Sequence, residues 1–446
     1  MSGSVISILL PKRCATRRAV VLTAVLTAAV MALVGCGAKS LDDYVTTNPG
    51  ATANAQRATI ANRPSGGSQA AGQTGAPASA GAPSSPKPTE STKTSSAPST
   101  YPTAATELVP YRGVVENLFF HPVVAYPELA FDGNPNTSGI DAYMVTASEY
   151  EKMLQSMYDK HYILVDWNDV WSERVDANGV RRMKRNTLLL PAGKKPIIIN
   201  FDDVNYYQYM LGTGFTYKLI IGPDGNIWSW GRDPKGRVVI SQDLDAITIL
   251  DKFVAAHPDF SMNGAKGCIN LTGYEGVLGY RTQTDDADRS AAFEANRRKQ
   301  IAAVRPVIAR LKATGWYFAS HTWGHIDLST SSMASIEADS ARWQREVGSL
   351  VGPTKILVYP FGARPDGGDV TSTGPVFRYL QSKGFRIFAS VGDSSFSQVK
   401  PDISAVVEDR MHADGTTLRN DRGTYLKFYD AKLVFDHRRP HLGTNW

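Results

Sequence analysis

From about residue 111 onward, short apolar runs alternate with longer segments of mixed polarity. The apolar runs are rich in β-branched and aromatic residues, as expected of strands, and they lie at 114–120, 162–165, 196–201, 316–319, 356–359 and 385–389, with a last one beginning at Val406. Two of the intervening segments carry helix signals: residues 146–149 form a capping box, and residues 286–314 predict a long helix with a break near Pro306 and an end at Gly315. Strands separated by helices predict an α/β fold with a parallel sheet or a barrel.

Residues with reactive side chains or turn geometry follow directly after several of these strands. They are His121, the pair Asp202-Asp203, His321, and Pro360-Phe361. In α/β barrels, functional groups gather at the carboxyl ends of the strands, so the sequence predicts a site at that end. Residues 217–230 interrupt the alternation and predict an inserted β-hairpin that turns at residues 223–225.

The N-terminal segment 1–35 has the pattern of an export signal. Four basic residues between positions 12 and 18 precede 16 uncharged residues at 19–34, which is shorter than the roughly 20 residues that span a bilayer. Residues 33–36 (LVGC) resemble a bacterial lipobox, which implies cleavage before Cys36 and acylation of its thiol. We therefore expect an extracytoplasmic protein that is lipid-anchored to the bacterial cell membrane. The alternative is an uncleaved signal anchor.

Composition divides the rest of the chain into two regions. Residues 36–105 are mostly Ala, Ser, Thr, Pro and Gly, which predicts a lipidated Cys36 followed by a disordered tether. Residues 106–446 are predicted to form the folded domain. The formal charge of +6 comes from the signal and the tether, because residues 106–446 contain 39 basic and 39 acidic residues. The basic balance is therefore no evidence for nucleic-acid binding, and we expect no nucleic-acid partner.

Two pairs of residues could form a metal site. Asp202 and Asp203 could face one cavity only where the strand has ended; the alternative is a solvated turn or a helix N-cap pair. His321 and His325 are four residues apart, so a tight turn or a helix would put both imidazoles on one side. The alternative for them is a pair of hydrogen-bonded polar histidines. Together, two histidines and a carboxylate suit Zn²⁺ or a similar ion and leave a position for water.

Three motifs resemble those of the polysaccharide deacetylases of the NodB-homology, carbohydrate esterase type. They are residues 200–204 (NFDDV), 321–325 (HTWGH) and 358–362 (VYPFG). The resemblance extends over most of 114–414, with a motif core at about 190–414, and implies a distorted parallel (β/α) barrel carrying the hairpin insertion. The layout, with Phe120-His121 ending the first strand, is most similar to the deacetylases of biofilm poly-N-acetylglucosamine.

The resemblance also implies roles for the motif residues. Asp203, His321 and His325 would bind a divalent metal, with Zn²⁺ the expected ion, and Asp202 would be the general base that activates the attacking water at the metal. The backbone N–H near Phe361, next to Pro360, would hold the oxyanion.

A general acid must protonate the leaving sugar amine, and two histidines are candidates. In the biofilm subgroup the acid stands at the first strand, which nominates His121. In the commoner arrangement it follows the last strand, which nominates His412. His121 is preferred at this point because its subgroup also lacks the arginine of the third motif.

Two departures from the family pattern bear on activity. Val358 replaces that arginine, so a partner for Asp202 must come from Asp393 or Arg410, or be missing. Val204 replaces a glycine and would crowd the backbone near the metal.

The predicted function is metal-dependent hydrolysis of N-acetyl groups on a cell-wall or extracellular polysaccharide, with peptidoglycan or an exopolysaccharide as the partner. The alternatives are an O-acetyl esterase and a catalytically silent glycan-binding lipoprotein.

Three further features have ordinary interpretations. The tyrosine-rich stretches 204–209 and 274–280 could stack on sugar rings, but core or rim packing is the more common role. Cys268 has the surroundings of a small buried hydrophobic residue. Asn270 and Thr272 match a glycosylation acceptor, which means little in a bacterial lipoprotein.

Overall fold

A computed structural model of the chain describes residues 107–368 and 370–440. The predicted signal peptide (1–35), the lipidation site Cys36 and the tether (36–105) lie outside these residues. Within the described part of the chain, no helix combines the length and the apolar character needed to cross a membrane.

The described residues form a large mixed sheet and three small antiparallel ribbons or sheets. The strands, in chain order, are β1 (Leu108–Tyr111), β2 (Glu116–Phe120), β3 (Tyr162–Leu164), β4 (Trp171–Val175), β5 (Arg181–Arg185), β6 (Leu188–Pro191), β7 (Lys195–Asp202), β8 (Lys218–Ile221), β9 (Ile227–Arg232), β10 (Val238–Ser241), β11 (Cys268–Leu271), β12 (Tyr317–Ser320), β13 (Ile356–Val358), β14 (Ile387–Val391), β15 (Phe396–Lys400) and β16 (Ala405–His412).

Seven parallel strands of the large sheet close into a barrel. Their order is β2, β7, β11, β12, β13, β14 and β16, and β16 pairs with β2 to complete the ring. β3 pairs with the beginning of β7, whereas β11 pairs with its end. β15 runs antiparallel along β16. The predicted distorted parallel α/β barrel is confirmed.

Alternate residues of each strand fill the barrel interior, as the two-residue period of a strand requires. Ile198, Cys268, Ala319 and Val358 belong to one buried cluster inside the ring. The residues between them along the strands pack outward under the helices. Cys268 is fully buried, as its apolar surroundings predicted. Inward-facing positions near the carboxyl ends of the strands therefore point toward one shared mouth.

Helices connect the strands and cover the barrel. The α-helices are α1 (Pro127–Ala130), α2 (Thr137–Tyr143), α3 (Ala147–Asp159), α4 (Trp167–Val170), α5 (Ala246–Ala256), α6 (Ala291–Ala313), α7 (Met333–Trp343), α8 (Ser349–Val351), α9 (Pro375–Ser382), α10 (Gly415–Asn420), α11 (Arg422–Tyr425) and α12 (Ala431–Val434). α3 begins with the predicted capping box, in which Thr146 and Glu149 satisfy each other's backbone N–H groups at 3.1 and 2.8 Å.

The predicted break in the long helix is wrong. α6 continues through Pro306 and ends before Gly315, which adopts φ 96°. A proline removes one backbone hydrogen bond of a helix, but packing can hold the helix together across it. Here Val304, Val307 and Leu311 are buried on the same face of α6, and this burial anchors the helix on both sides of the proline.

The predicted hairpin insertion is present and is larger than expected. β8 and β9 pair around a turn in which Gly225 adopts φ 77°, and β10 adds a third antiparallel strand beside β9. β10 escaped prediction because it is an edge strand with two exposed apolar residues, Val238 and Ile240, and so lacks a buried face.

Candidate active site

Asp203, His321 and His325 come together at the carboxyl end of the barrel. One ligand atom from each residue lies within 4.8 Å of those from the other two. Asp203 follows the end of β7, and the two histidines lie in the loop after β12. The predicted one-sided placement of the imidazoles arises from a tight turn and not from a helix.

Unusual backbone angles shape this turn and its neighbours. Asp203, Thr322, His325 and Phe361 all have positive φ, between 52° and 61°, although none is glycine. The histidine loop is held from outside by Asp339, whose carboxylate accepts the backbone N–H groups of Trp323 (2.7 Å) and Gly324 (2.6 Å). Packing and hydrogen bonds therefore hold the loop in a conformation that its own residues disfavour.

A backbone carbonyl fixes the orientation of His321. Its Nδ1 lies 2.9 Å from the carbonyl oxygen of Val358, so Nδ1 carries the proton and Nε2 is the free nitrogen. Val358 itself is fully buried in the barrel interior. The third motif thus orients a candidate ligand through its main chain.

The geometry and chemistry of the cluster fit a divalent cation. Nε2 of His325 lies 3.8 Å from Oδ2 of Asp203, which is too long for a hydrogen bond. Ligand atoms around a tetrahedral zinc ion at about 2.0–2.1 Å are roughly 3.4 Å apart. Burial lowers the pKa of His325 to about 4, so its imidazole is neutral near pH 7, as a metal ligand must be.

Asp202 is the most firmly held carboxylate of the site. Arg410, which is fully buried, donates to both of its oxygens at 2.8 and 3.0 Å, and Asn270 donates to Oδ1 at 2.6 Å. Burial alone would raise the pKa of Asp202, but the guanidinium of Arg410, together with the nearby His321, outweighs burial and holds that pKa well below its ordinary value. Of the two candidate partners for Asp202, Arg410 and Asp393, the structure places Arg410 in contact.

The second departure from the family pattern, Val204, is an ordinary buried core residue in the structure. Its side chain is 2% exposed and belongs to the main hydrophobic cluster outside the barrel. Its carbonyl accepts a hydrogen bond from the backbone N–H of Leu278 at 3.2 Å.

His121 and His412 both lie close to the Phe119 ring. The ring centroids are 5.8 Å apart for His121 and 6.1 Å apart for His412. Nδ1 of His121 is 3.0 Å from the carbonyl oxygen of Tyr143 at the end of α2. Both candidate proton donors therefore face the same region of the barrel mouth.

His412 has a carboxylate partner. Its Nδ1 lies 2.6 Å from Oδ2 of the buried Asp414, which also caps α10. Burial alone would lower the pKa of His412, but the charge of Asp414 and its hydrogen bond outweigh burial and raise the pKa above its ordinary value. The imidazolium form of His412 is stabilised, and about a third of its side chain is exposed.

Phe361 borders the site beside the histidines. Its ring centroid lies 4.5 Å from that of His325, and half of the side chain is exposed, whereas Pro360 is buried. The placement leaves an apolar surface at the edge of the cluster.

Four residues that contact the site were not identified as site residues from the sequence. Asn270 and Thr272 belong to β11 and its end, a barrel strand that the sequence did not predict. Tyr207 contacts Asp203, and Asp339 supports the histidine loop. The alternation of residues 268–272 was the one available signal, because it places Asn270 on the same strand face as the buried Cys268.

Comparisons with known proteins add a family match. Residues 286–372 match the family model described as polysaccharide deacetylase. The matched region contains His321, His325 and Phe361, whereas Asp202, Asp203 and His412 lie outside it. No curated protein gives a significant match.

Two solved structures are similar to the chain. One is the Streptococcus pyogenes deacetylase PplD in complex with acetate, with 14% identity, coverage of 69% of this chain and 95% of that chain, and a TM-score of 0.37. The other is BC0361, a polysaccharide deacetylase from Bacillus cereus, with 14% identity, coverage of 68% and 66%, and a TM-score of 0.38. Because both TM-scores lie below 0.5, the strand order of the barrel itself, and not these likenesses, defines the fold.

Proposed function

We propose that the chain is a polysaccharide deacetylase of the NodB-homology type, a hydrolase that removes N-acetyl groups from a cell-wall or extracellular polysaccharide with the help of a divalent metal ion. Zinc is the expected ion. The observation that carries the proposal is the cluster of Asp203, His321 and His325 beside the firmly held Asp202.

The residues of the site would divide the work of amide hydrolysis. A bound divalent cation would supply Lewis acidity toward the acetyl carbonyl and the attacking water. Asp202, fixed by Arg410 and Asn270, accepts the proton that the water loses. The backbone N–H of Phe361 donates to the oxygen of the acetyl group, which gains negative charge in the transition state.

We propose His412 as the group that protonates the leaving amine. The amine needs a proton to leave the amide, and a histidine can supply one as a general acid only from its imidazolium form. Asp414 keeps His412 in that form, whereas His121 bonds a neutral backbone carbonyl. These contacts support His412 over His121, the residue that the subgroup resemblance favoured.

Replacing Asp414 with Asn is expected to move the alkaline limb of kcat/KM to lower pH. His412 acts as an acid, so activity is present below its pKa and falls as the pH rises through it. The charge of Asp414 raises that pKa, and Asn removes the charge while retaining an oxygen to cap α10. The measurement is the pH profile of both proteins at equal metal content. An alkaline limb that does not move would contradict the donor role of His412. Loss of turnover in His121→Ala but not in His412→Ala would assign that role to His121.

Amine and acetate release measure the function directly. We expect the metal-loaded protein to release free amine from an N-acetylglucosamine oligomer and to lose this activity with a chelator, because the ligand cluster is a central part of the site. Acetate release from an O-acetylated oligomer without amine release would instead identify an O-acetyl esterase. Glycan binding without metal-dependent release from either substrate would identify a silent binding protein and contradict both enzyme functions.

We also propose that the protein acts outside the cytoplasm, tethered through a lipid on Cys36. The support is the lipobox-like sequence at 33–36 and the composition of 36–105. A tether of this kind would keep the site within reach of peptidoglycan or of an exopolysaccharide close to the membrane.

A further inference from the structure

The two carboxylate oxygens of Asp203 have different neighbours. Oδ1 accepts a hydrogen bond from the hydroxyl of Tyr207 at 2.6 Å. Oδ2 lies 3.8 Å from Nε2 of His325, on the side of the ligand cluster. One oxygen is thus engaged by the protein, and the other faces the position that an ion would take.

The hydroxyl of Tyr207 belongs to a directional chain. It lies 2.6 Å from Oγ1 of Thr272 as well as from Asp203. An ionised carboxylate only accepts, so Tyr207 donates its single proton to Asp203 and receives one from Thr272. The order of donation is therefore Thr272 to Tyr207 to Asp203.

Burial and ring stacking fix Tyr207 in this place. Its side chain is 3% exposed, and Thr272 is fully buried. The ring lies nearly parallel to Tyr274, with centroids 4.8 Å apart, and Tyr209 stacks on it at 6.0 Å. A side chain held on this many sides has little freedom to release its hydrogen bond to Asp203.

We propose that Tyr207, oriented by Thr272, is a positioning residue that makes Asp203 a one-oxygen ligand of the metal ion through Oδ2. The inference rests on the proposed metal-dependent function and adds residues and a coordination mode to it. Hydrogen bonds to the outer atoms of metal ligands orient those ligands and tune their affinity. Here the bond leaves Oδ1 unavailable, so the ion retains a coordination position for water or substrate.

Tyr207→Phe is expected to weaken zinc binding by about 10- to 100-fold, because outer partners of metal ligands typically contribute that much. The measurement is competitive zinc titration of the purified metal-free protein against a chromophoric chelator. Tyr209→Phe is the matched control, since it removes a hydroxyl from the same ring stack without touching Asp203. Its zinc affinity should equal that of the unaltered protein.

Cobalt substitution separates positioning from general damage. With Tyr207→Phe, Oδ1 is free to join the ion, so the visible absorption of bound Co²⁺ should weaken as its coordination number rises. Thr272→Val should weaken zinc binding less than Tyr207→Phe, because the direct bond to Asp203 remains. Equal melting temperatures of the metal-free proteins would show that the fold is intact.

The outcomes distinguish this inference from the proposed function. If the unaltered protein binds zinc and Tyr207→Phe binds it equally tightly with an unchanged cobalt spectrum, the positioning role is wrong and the metal-dependent function stands. If the unaltered protein binds no divalent metal, both are wrong. Equal weakening by Tyr207→Phe and Tyr209→Phe would also overturn the inference, because it would show that the ring stack and not the hydroxyl matters.

Discussion

Replacing Asp203 with Ala should abolish zinc binding and lower kcat/KM by about 10³-fold or more. Asp203 is the only carboxylate in the three-residue ligand cluster found among the described residues. The two histidines that remain are too few for a stable site, and the several kcal/mol that the ion contributes to the transition state would be lost. The measurements are zinc stoichiometry and amine release from an N-acetylglucosamine oligomer.

A surface aspartate provides the control for this variant. Asp243 pairs with Lys252, and more than half of each side chain is exposed. Asp243→Ala should keep full zinc content and turnover, because exposed ion pairs contribute little. Retention of one tightly bound zinc by Asp203→Ala would show that Asp203 is not a ligand.

Replacing Arg410 with Met is expected to lower the free energy of unfolding by about 3–5 kcal/mol, because it leaves the carboxylate of Asp202 buried without its partner. Arg410 also stacks on the Phe119 ring, 4.2 Å from its centroid, and a methionine would retain part of that packing. Turnover should be lost as well, since Asp202 would no longer be fixed. Urea unfolding of the metal-free proteins measures the first effect.

A second substitution separates the charge from the packing. In the double variant Arg410→Met with Asp202→Asn, no unpaired charge remains, so most of the lost stability should return while turnover stays absent. Asn270 can still donate to the amide oxygen at position 202. If the double variant is as unstable as Arg410→Met alone, the destabilisation comes from lost packing and not from the unpaired carboxylate.

Local patterns predicted the barrel and the motif residues well. The apolar run before Asp202 identified β7, because a strand buried on both faces has few polar residues. The spacing of His321 and His325 placed both imidazoles on one side of a turn. Both signals lie within a few consecutive residues, so they can be recognised without knowing which distant parts of the chain come together.

The contacts between residues on different barrel strands could not be predicted from local patterns. Arg410 and Asp202 are 208 residues apart, and their pairing depends on which strands close the ring. β11 was missed because its sequence, CINL, has only four residues, which is too short for a periodic pattern to distinguish a strand from a loop. Because β11 was not predicted, the contact of Asn270 with Asp202 and that of Thr272 with Tyr207 could not be predicted either.

The four non-glycine residues with positive φ around the site imply a conflict between robustness and activity. Each such residue costs of order 1–3 kcal/mol, and the surrounding structure must offset that cost. Selection for greater thermal tolerance would therefore favour glycine or asparagine at positions such as Thr322 and Phe361. The same changes would loosen the turns that orient His325 and Phe361, the proposed oxyanion donor. Variants of this enzyme with higher melting temperatures are thus more useful when their changes lie in the β8–β10 insertion or the outer helices than around the barrel mouth.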